Sequence, residues 1–188
     1  MTKVAVYGGS FNPFGNQHLD VLRYLAESGE FQHIIVVPSA AHALKTGILP
    51  FEHRFNMTAL GIESRYHECP SFPERVTITI AIDELHMLKQ QPGPIYTIQL
   101  LRHFKTGHRG KENDYRFVIG PDILDELDRW EYVEEIREEF GFYQVPMMGI
   151  HSQAIRDMIR NGVSTWIRHV PTQVAAYIKM HGLYDVET

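Results

Sequence analysis

The stretch VYGGSFNPFGNQHL, Val6 to Leu19, sets two glycines and a proline-containing loop between a strand-like run and a helix that carries His18 near its start. That order of residue types suits an anion. Gly8 and Gly9 let the main chain approach phosphate oxygens with no Cβ in the way, and the amides of the turn face the ligand together with the helix N-terminus. His18, about two residues inside the helix, is read as adding a charge-assisted donor. The same residues also suit a tight strand-to-helix turn with a capping asparagine and a partly buried histidine. The stretch contains neither GxxxxGK[ST] nor GxGxxG, so it is neither a Walker loop nor a dinucleotide fingerprint. A second group of this kind lies in IHSQAIRDMIRNG, where Ser152 reads as a helix N-cap and Arg156, four residues on, shares its face. Amides, a hydroxyl and a guanidinium would meet phosphate there. The plain alternative is a cap followed by a solvated arginine.

Other candidates stand singly. Gly120, at the end of RFVIG, permits close backbone approach, and Asp122 can accept hydrogen bonds from a ribose or cap a helix. Trp130 offers either core packing or a flat face for an electron-poor ring. Tyr96 and Thr97 open a helical pattern, as ligand contacts or as a structural tyrosine with a threonine cap. Lys45, with His42 near it, sits on the Ala- and Gly-bearing loop of Pro38 to Pro50. The histidines form no HExxH or other metal-ligand spacing.

Elements that could position these groups are legible as alternating short β-branched runs and helical patterns. The runs are KVAVY from Lys3, HIIVVP from His33, RVTITI from Arg75, RFVIG from Arg116 and YQVPMM from Tyr143. Near-continuous apolar strands imply a sheet covered on both faces, so the expected class is α/β with a doubly wound, mostly parallel, Rossmann-like sheet. Leu19, Leu22 and Leu25 share one helix face, and Phe55, Ala59 and Ile62 share another. The 188 residues read as a single domain, with an α/β core over 1–150 and a small C-terminal helical lobe over 151–188, whose last helix has Pro171 at its start and Gly182 at its stop.

With 18 basic residues against 23 acidic ones, scattered along the chain, no counterion-displacing nucleic-acid surface is expected. A polyanion bound here should be small. No apolar run approaches the roughly 18 residues of a membrane span. One cysteine, Cys69, and an opening MTKVAVYGG without signal-peptide features lead to the expectation of a reducing, cytoplasmic setting.

The motifs in order resemble the nucleotidylyltransferase superfamily, and within it the nicotinate or nicotinamide mononucleotide adenylyltransferases. GGSFNPFGNQHL is similar to the pattern GxFxPxHxGH, with Gly15 at the first histidine and Gln17 at the glycine before His18. VPSAAHALKTGILPFEHRFNM is similar to the family segment with a loop lysine, here Lys45, and an arginine and methionine in the next helix, here Arg54 and Met57. PIYTIQLL is similar to SYTxDTL, with Gln99 replacing aspartate. FVIGPDILDELDRW keeps the glycine, aspartate and tryptophan of its counterpart, and IHSQAIR resembles ISSTxIR with Gln153 at the threonine.

The resemblance implies transfer of AMP from ATP to the 5′-phosphate of nicotinate or nicotinamide mononucleotide, releasing pyrophosphate, with Mg2+ arriving on ATP. It implies catalytic roles for His18, Arg156 and Lys45, and phosphate or ATP binding by Gly8, Gly9, Ser10, Phe11, Asn12, Gly120, Asp122 and Ser152. Tyr96, Thr97 and Trp130 would hold the pyridine nucleotide. Two other readings stay open: a nucleotide-binding regulatory protein without catalysis, suggested by Gly15, Gln17, Gln99 and Gln153 together, and a related adenylyl- or cytidylyltransferase with another acceptor, which would share the phosphate loop but not the Trp130 context.

Overall fold

The β-branched runs form five strands: β1 Lys3–Gly9, β2 His33–Pro38, β3 Thr77–Ile80, β4 Asp114–Ile119 and β5 Phe142–Gln144. In this computed structural model, which describes residues 1–40, 47–68, 72–73, 75–91, 93–107, 112–124 and 126–184, they pair in the order β3-β2-β1-β4-β5. All the pairings are parallel, with Val6 opposite Ile35 on one side and Phe117 on the other. A parallel sheet needs both faces covered, and the strands comply: Val4, Ala5, Val6, Ile34, Ile35, Val36 and Val37 are at most 1% exposed. The expected doubly wound parallel sheet is what the chain forms. Strand order reverses between β1 and β4, so the carboxyl ends of those two strands, at Gly9 and Ile119, flank the topological switch point.

Helices fill the intervals: α1 Asn16–Glu27, α2 Phe51–Glu63, α3 Arg65–Glu68, α4 Asp83–Gln90, α5 Thr97–Thr106, α6 Pro121–Leu124, α7 Val133–Glu139, α8 Ser152–Arg160 and α9 Thr172–Met180, with 3-10 turns at Leu127–Arg129 and Ser164–His169. Contacts divide the chain into two compact units. One comprises Met1–Gly9, Tyr24–Lys45 and Pro73–Met147; the other comprises Ser10–Arg23, Thr46–Phe72 and Met148–Thr188. The first holds the sheet and an apolar core in which Ile98, Leu101 and Phe104 of α5 and Ile136 of α7 meet strand residues such as Val6, Ile35 and Phe117. The second gathers the loop after β1, α2 and the C-terminal helices, so the helices beyond Ser152 share their unit with segments far earlier in sequence.

Leu19, Leu22 and Leu25 of α1 are buried, as their spacing predicts. The expected face of α2 is corrected. Its buried residues are Arg54, Met57, Thr58, Gly61 and Ile62, whereas Phe55 and Ala59 are only half-buried. A polar residue and a glycine form that face because each meets a specific group: Arg54 is hydrogen-bonded to backbone, and the ring of Phe14 occupies the space over Gly61.

Candidate active site

The segment from Ser10 to Gly15 is irregular, yet Phe11, Asn12, Pro13, Phe14 and Gly15 are all buried. Buried backbone without a ladder must find its hydrogen bonds elsewhere. Here the carbonyls of Ser10, Asn12 and Pro13 are met by side chains of the same unit, and that of Gly15 by the amides of His18 and Leu19. Arg54 donates from Nη1 to Ser10 O at 3.0 Å and from Nε to Leu49 O at 2.9 Å. Arg156 donates from Nη1 to Asn12 O at 2.6 Å, and Ser152 donates from Oγ to Pro13 O at 2.9 Å. Helices α2 and α8 thus hold the loop by three of its carbonyls. Phe11 takes φ +47°, a left-handed conformation that is uncommon for a bulky residue.

His18 occupies the third position of α1, and its imidazole reaches back to the residue before the helix. Gly15 donates its N–H to His18 Nδ1 at 2.9 Å, the geometry of a capping box with histidine in the glutamate's place. An accepting Nδ1 carries no proton, so the neutral ring holds its proton on Nε2. The ring lies between Phe11 and Phe14, with centroid distances of 5.1 and 5.2 Å. Burial, reinforced by the neighbouring His151, pulls its pKa down to about 3. His18 is thus held as a neutral N–H donor, whose hydrogen bond to an ionised phosphate would draw its charge from the acceptor.

Arg156 is also fixed in place, because its Nη2 donates to Gln153 Oε1 while Gln153 Nε2 donates to Asp157 Oδ1 at 2.8 Å. Among the described residues its Nε is buried without a hydrogen-bond partner, as is Nδ2 of Asn12, whose Oδ1 accepts from the Tyr184 hydroxyl at 2.8 Å. Burial lowers the Arg156 pKa from the ordinary arginine value, and the guanidinium stays charged. Ser152 is the first residue of α8 rather than its cap, which is His151. Its hydroxyl serves the loop instead of the helix end. Arg54, Gln17 and Tyr184 were not singled out as site residues by their sequence positions, and each touches the loop or its holders.

The remaining candidates belong to the sheet unit. Gly8 and Gly9 end β1; a Cβ on Gly8 would lie 3.1 Å from the Phe117 ring, and Gly9 O accepts from Ser39 N–H at 2.9 Å. A Cβ on Gly120 would lie 2.5 Å from Asp122 Oδ1, so a side chain there would displace that carboxylate. Asp122 is exposed. Its charge, second to burial, raises the Tyr7 phenol above its ordinary pKa. Trp130 is half-buried and meets Phe117 edge-on at 5.9 Å. Tyr96, not Thr97, is the cap of α5: its N–H donates to Gln99 Oε1 at 2.9 Å, and its ring meets Tyr132 edge-on at 5.3 Å. Lys45 and His42 lie outside the described residues.

Among the described residues no helix is long and apolar enough to cross a membrane, and no group of three His, Cys, Asp or Glu side chains is placed to hold a metal. What the loop unit offers is hydrogen-bond donors, the complement of phosphate oxygens.

Comparisons with known proteins agree with that chemistry. Over 97% of its length the chain is 26% identical to a Leifsonia xyli subsp. xyli (strain CTCB07) protein named "Probable nicotinate-nucleotide adenylyltransferase", 94% of which is covered. Its fold matches a candidate nicotinate-nucleotide adenylyltransferase from Vibrio parahaemolyticus with a TM-score of 0.78 at 22% identity, covering 100% of this chain and 98% of the other. It also matches Plasmodium falciparum nicotinic acid mononucleotide adenylyltransferase complexed with NaAD, with a TM-score of 0.74 at 19% identity and 98% of each chain covered. The model of the cytidylyltransferase-like family matches residues 6–169, and the chain belongs to that family.

Proposed function

We propose that this protein transfers the adenylyl group of ATP to the 5′-phosphate of a pyridine mononucleotide, nicotinate or nicotinamide, forming the dinucleotide and pyrophosphate. The observation that carries the reading is the carbonyl-tethered loop with His18 Nε2–H and the Arg156 guanidinium beside it, a set of donors with no protein nucleophile. Adenylyl transfer needs none. An oxygen of the acceptor phosphate attacks the α-phosphorus of ATP, the bond to the bridging oxygen of the β-phosphate breaks, and pyrophosphate leaves with the electron pair.

For such displacements the protein works by aligning the attacking and leaving oxygens and by meeting charge as it develops. His18, neutral and fixed by Gly15, donates from Nε2 to a phosphate oxygen without having to lose or gain a proton. Arg156 meets the leaving pyrophosphate, and its unpartnered Nε is a donor already desolvated for that purpose. The donor set suits phosphate rather than a cation, so magnesium is expected on the ATP oxygens, where it supplies charge neutralisation. Trp130, Tyr96 and Thr97 are assigned to the pyridine nucleotide, and Asp122 to a ribose, on the family resemblance.

The names of the relatives put nicotinate mononucleotide first among acceptors. The test is pyrophosphate release from ATP and Mg2+ with each mononucleotide supplied separately, the dinucleotide being identified by mass. Turnover with either establishes the activity and ranks the acceptors. Absence of turnover with both, in folded protein, overturns it. With wild-type turnover in hand, loss of roughly 100- to 1,000-fold in His18→Ala, by analogy with a lost transition-state donor, is the expected signature.

A further inference from the structure

Gly15 and Gln17 both depart from the pattern that this loop otherwise follows, and in space they are one feature. The backbone of Gly15 lies outside the left-handed region, so its conformation does not demand glycine. Space does. A Cβ built on Gly15 would lie 2.2 Å from Oε1, 2.9 Å from Cδ and 3.0 Å from Nε2 of Gln17. The Gln17 carboxamide has folded back into the volume that a side chain at 15 would use. It is held there. Gln17 is 8% exposed, and its stem packs on Gly149, where a Cβ would stand 3.2 Å from Gln17 Cβ. Its Nε2 donates to Ser152 Oγ at 3.3 Å, and that hydroxyl donates onward to Pro13 O at 2.9 Å.

A primary amide has two N–H donors, and 3.3 Å is long for a hydrogen bond. Among the described residues Gln17 Nε2 has no partner besides Ser152. One N–H therefore remains, on a carboxamide fixed between the first turns of α1 and α8, one residue from His18. We propose that Gln17 is a further substrate-contacting residue: its Nε2 donates to a phosphate oxygen of ATP, supplying from position 17 the side-chain donor that position 15 lacks. The inference rests on the adenylyl-transfer reading for its substrate. The paired departures are then an exchange of positions rather than two losses.

Four variants test it, each followed by ATP affinity in calorimetry, by kcat and KM for ATP and for the mononucleotide, and by melting temperature. Gln17→Met keeps length and volume without the donor. It is expected to melt with the wild type and to weaken ATP binding, and kcat/KM for ATP, by roughly 10- to 100-fold, as for a hydrogen bond to a charged group. KM for the mononucleotide should stay within about twofold, taking roughly 0.4 kcal/mol as the resolvable difference. Gln17→Glu, which keeps the shape and turns a donor into an anion, should weaken ATP more than Gln17→Met and guards against a methionine variant that fails to fold.

Gly15→His alone must expel the carboxamide and should lose ATP affinity. Combined with Gln17→Gly it should recover at least about tenfold, a coupling of order 1.4 kcal/mol between contacting positions. The inference is overturned by ATP affinity within about threefold of wild type in both Gln17→Met and Gln17→Glu, or by a double variant no better than Gly15→His. Affinity for ATP is read without any acceptor, so failure of the acceptor assignment leaves this test intact, whereas a wild type that binds no ATP overturns both readings.

Discussion

The central strands β1 and β2 of the first unit and the loop of the second are both largely buried and are built on opposite terms. In β1 and β2 the backbone satisfies itself, strand against strand, and Val4 to Val6 and Ile34 to Val37 need only be apolar and of suitable size. In the loop the carbonyls of Ser10, Asn12 and Pro13 depend on individual side chains brought from up to 144 residues away. Stability shared over many apolar contacts degrades gradually, whereas stability resting on single donors is lost a whole bond at a time. The second construction also fixes a neutral imidazole by the Gly15 amide, a role that amide could not take in a ladder.

Removing a donor from the loop should have the largest effect. Arg54→Ala takes the partner from both Ser10 O and Leu49 O and is expected to cost roughly 3 kcal/mol in denaturant unfolding, at about 1–3 kcal/mol for each buried carbonyl orphaned. Arg54→Lys should recover little, since a point charge on a flexible stem cannot serve two carbonyls in the fork geometry of a guanidinium. Recovery by lysine would mean that charge, not geometry, holds the loop. Next is Gly61→Ala, whose Cβ would lie 2.2 Å from Cδ1 of Phe14. Crowding an aromatic ring that itself packs on His18 should cost about 2 kcal/mol and lower activity along with stability.

His18 gives the comparison a pH dependence. Its folded pKa of about 3 lies below its ordinary value of 6.5, so between those values the unfolded chain binds the extra proton and stability rises with pH. The contribution is complete above about pH 6.5 and is lost on acidification, by about 1.4 kcal/mol at pH 5.5. His18→Gln, which cannot titrate, should show a correspondingly flatter fall between pH 7.5 and 5.5. An imidazole signal of His18 that titrates near pH 6 in NMR would refute the neutral-donor account.

The two regions also differed in how far they could be read from sequence. Alternating β-branched runs and helical stretches identified the doubly wound sheet, because each element follows from local pattern. The loop was legible as a motif, from Gly8 to His18, but its support was not. Arg54 meets Ser10 and Tyr184 meets Asn12 across 44 and 172 residues, and neither pairing leaves a periodic trace. Counting apolar residues on α2 chose the Phe55 face because a buried arginine and a buried glycine look like solvent positions. Gln17 was seen as a missing glycine, since a side chain that folds back over its neighbour is a fact of space.

The smallest change is expected where apolar burial does the holding. Ile35, 1% exposed in the middle of β2, belongs to a core with contributions from β1, β2 and β4 and from α5 and α7. Ile35→Val removes one methylene and should cost about 1 kcal/mol, with ATP affinity and turnover unaltered at temperatures where the variant is folded. Backbone pairing with β1 and β3 is untouched by the change, so nothing polar is orphaned. The comparison is sharpest with Arg54→Ala made in parallel. If Ile35→Val lowered activity per folded molecule as much as Arg54→Ala, the sheet would be setting the loop's geometry, and the division between a tolerant scaffold and a donor-by-donor site would fail.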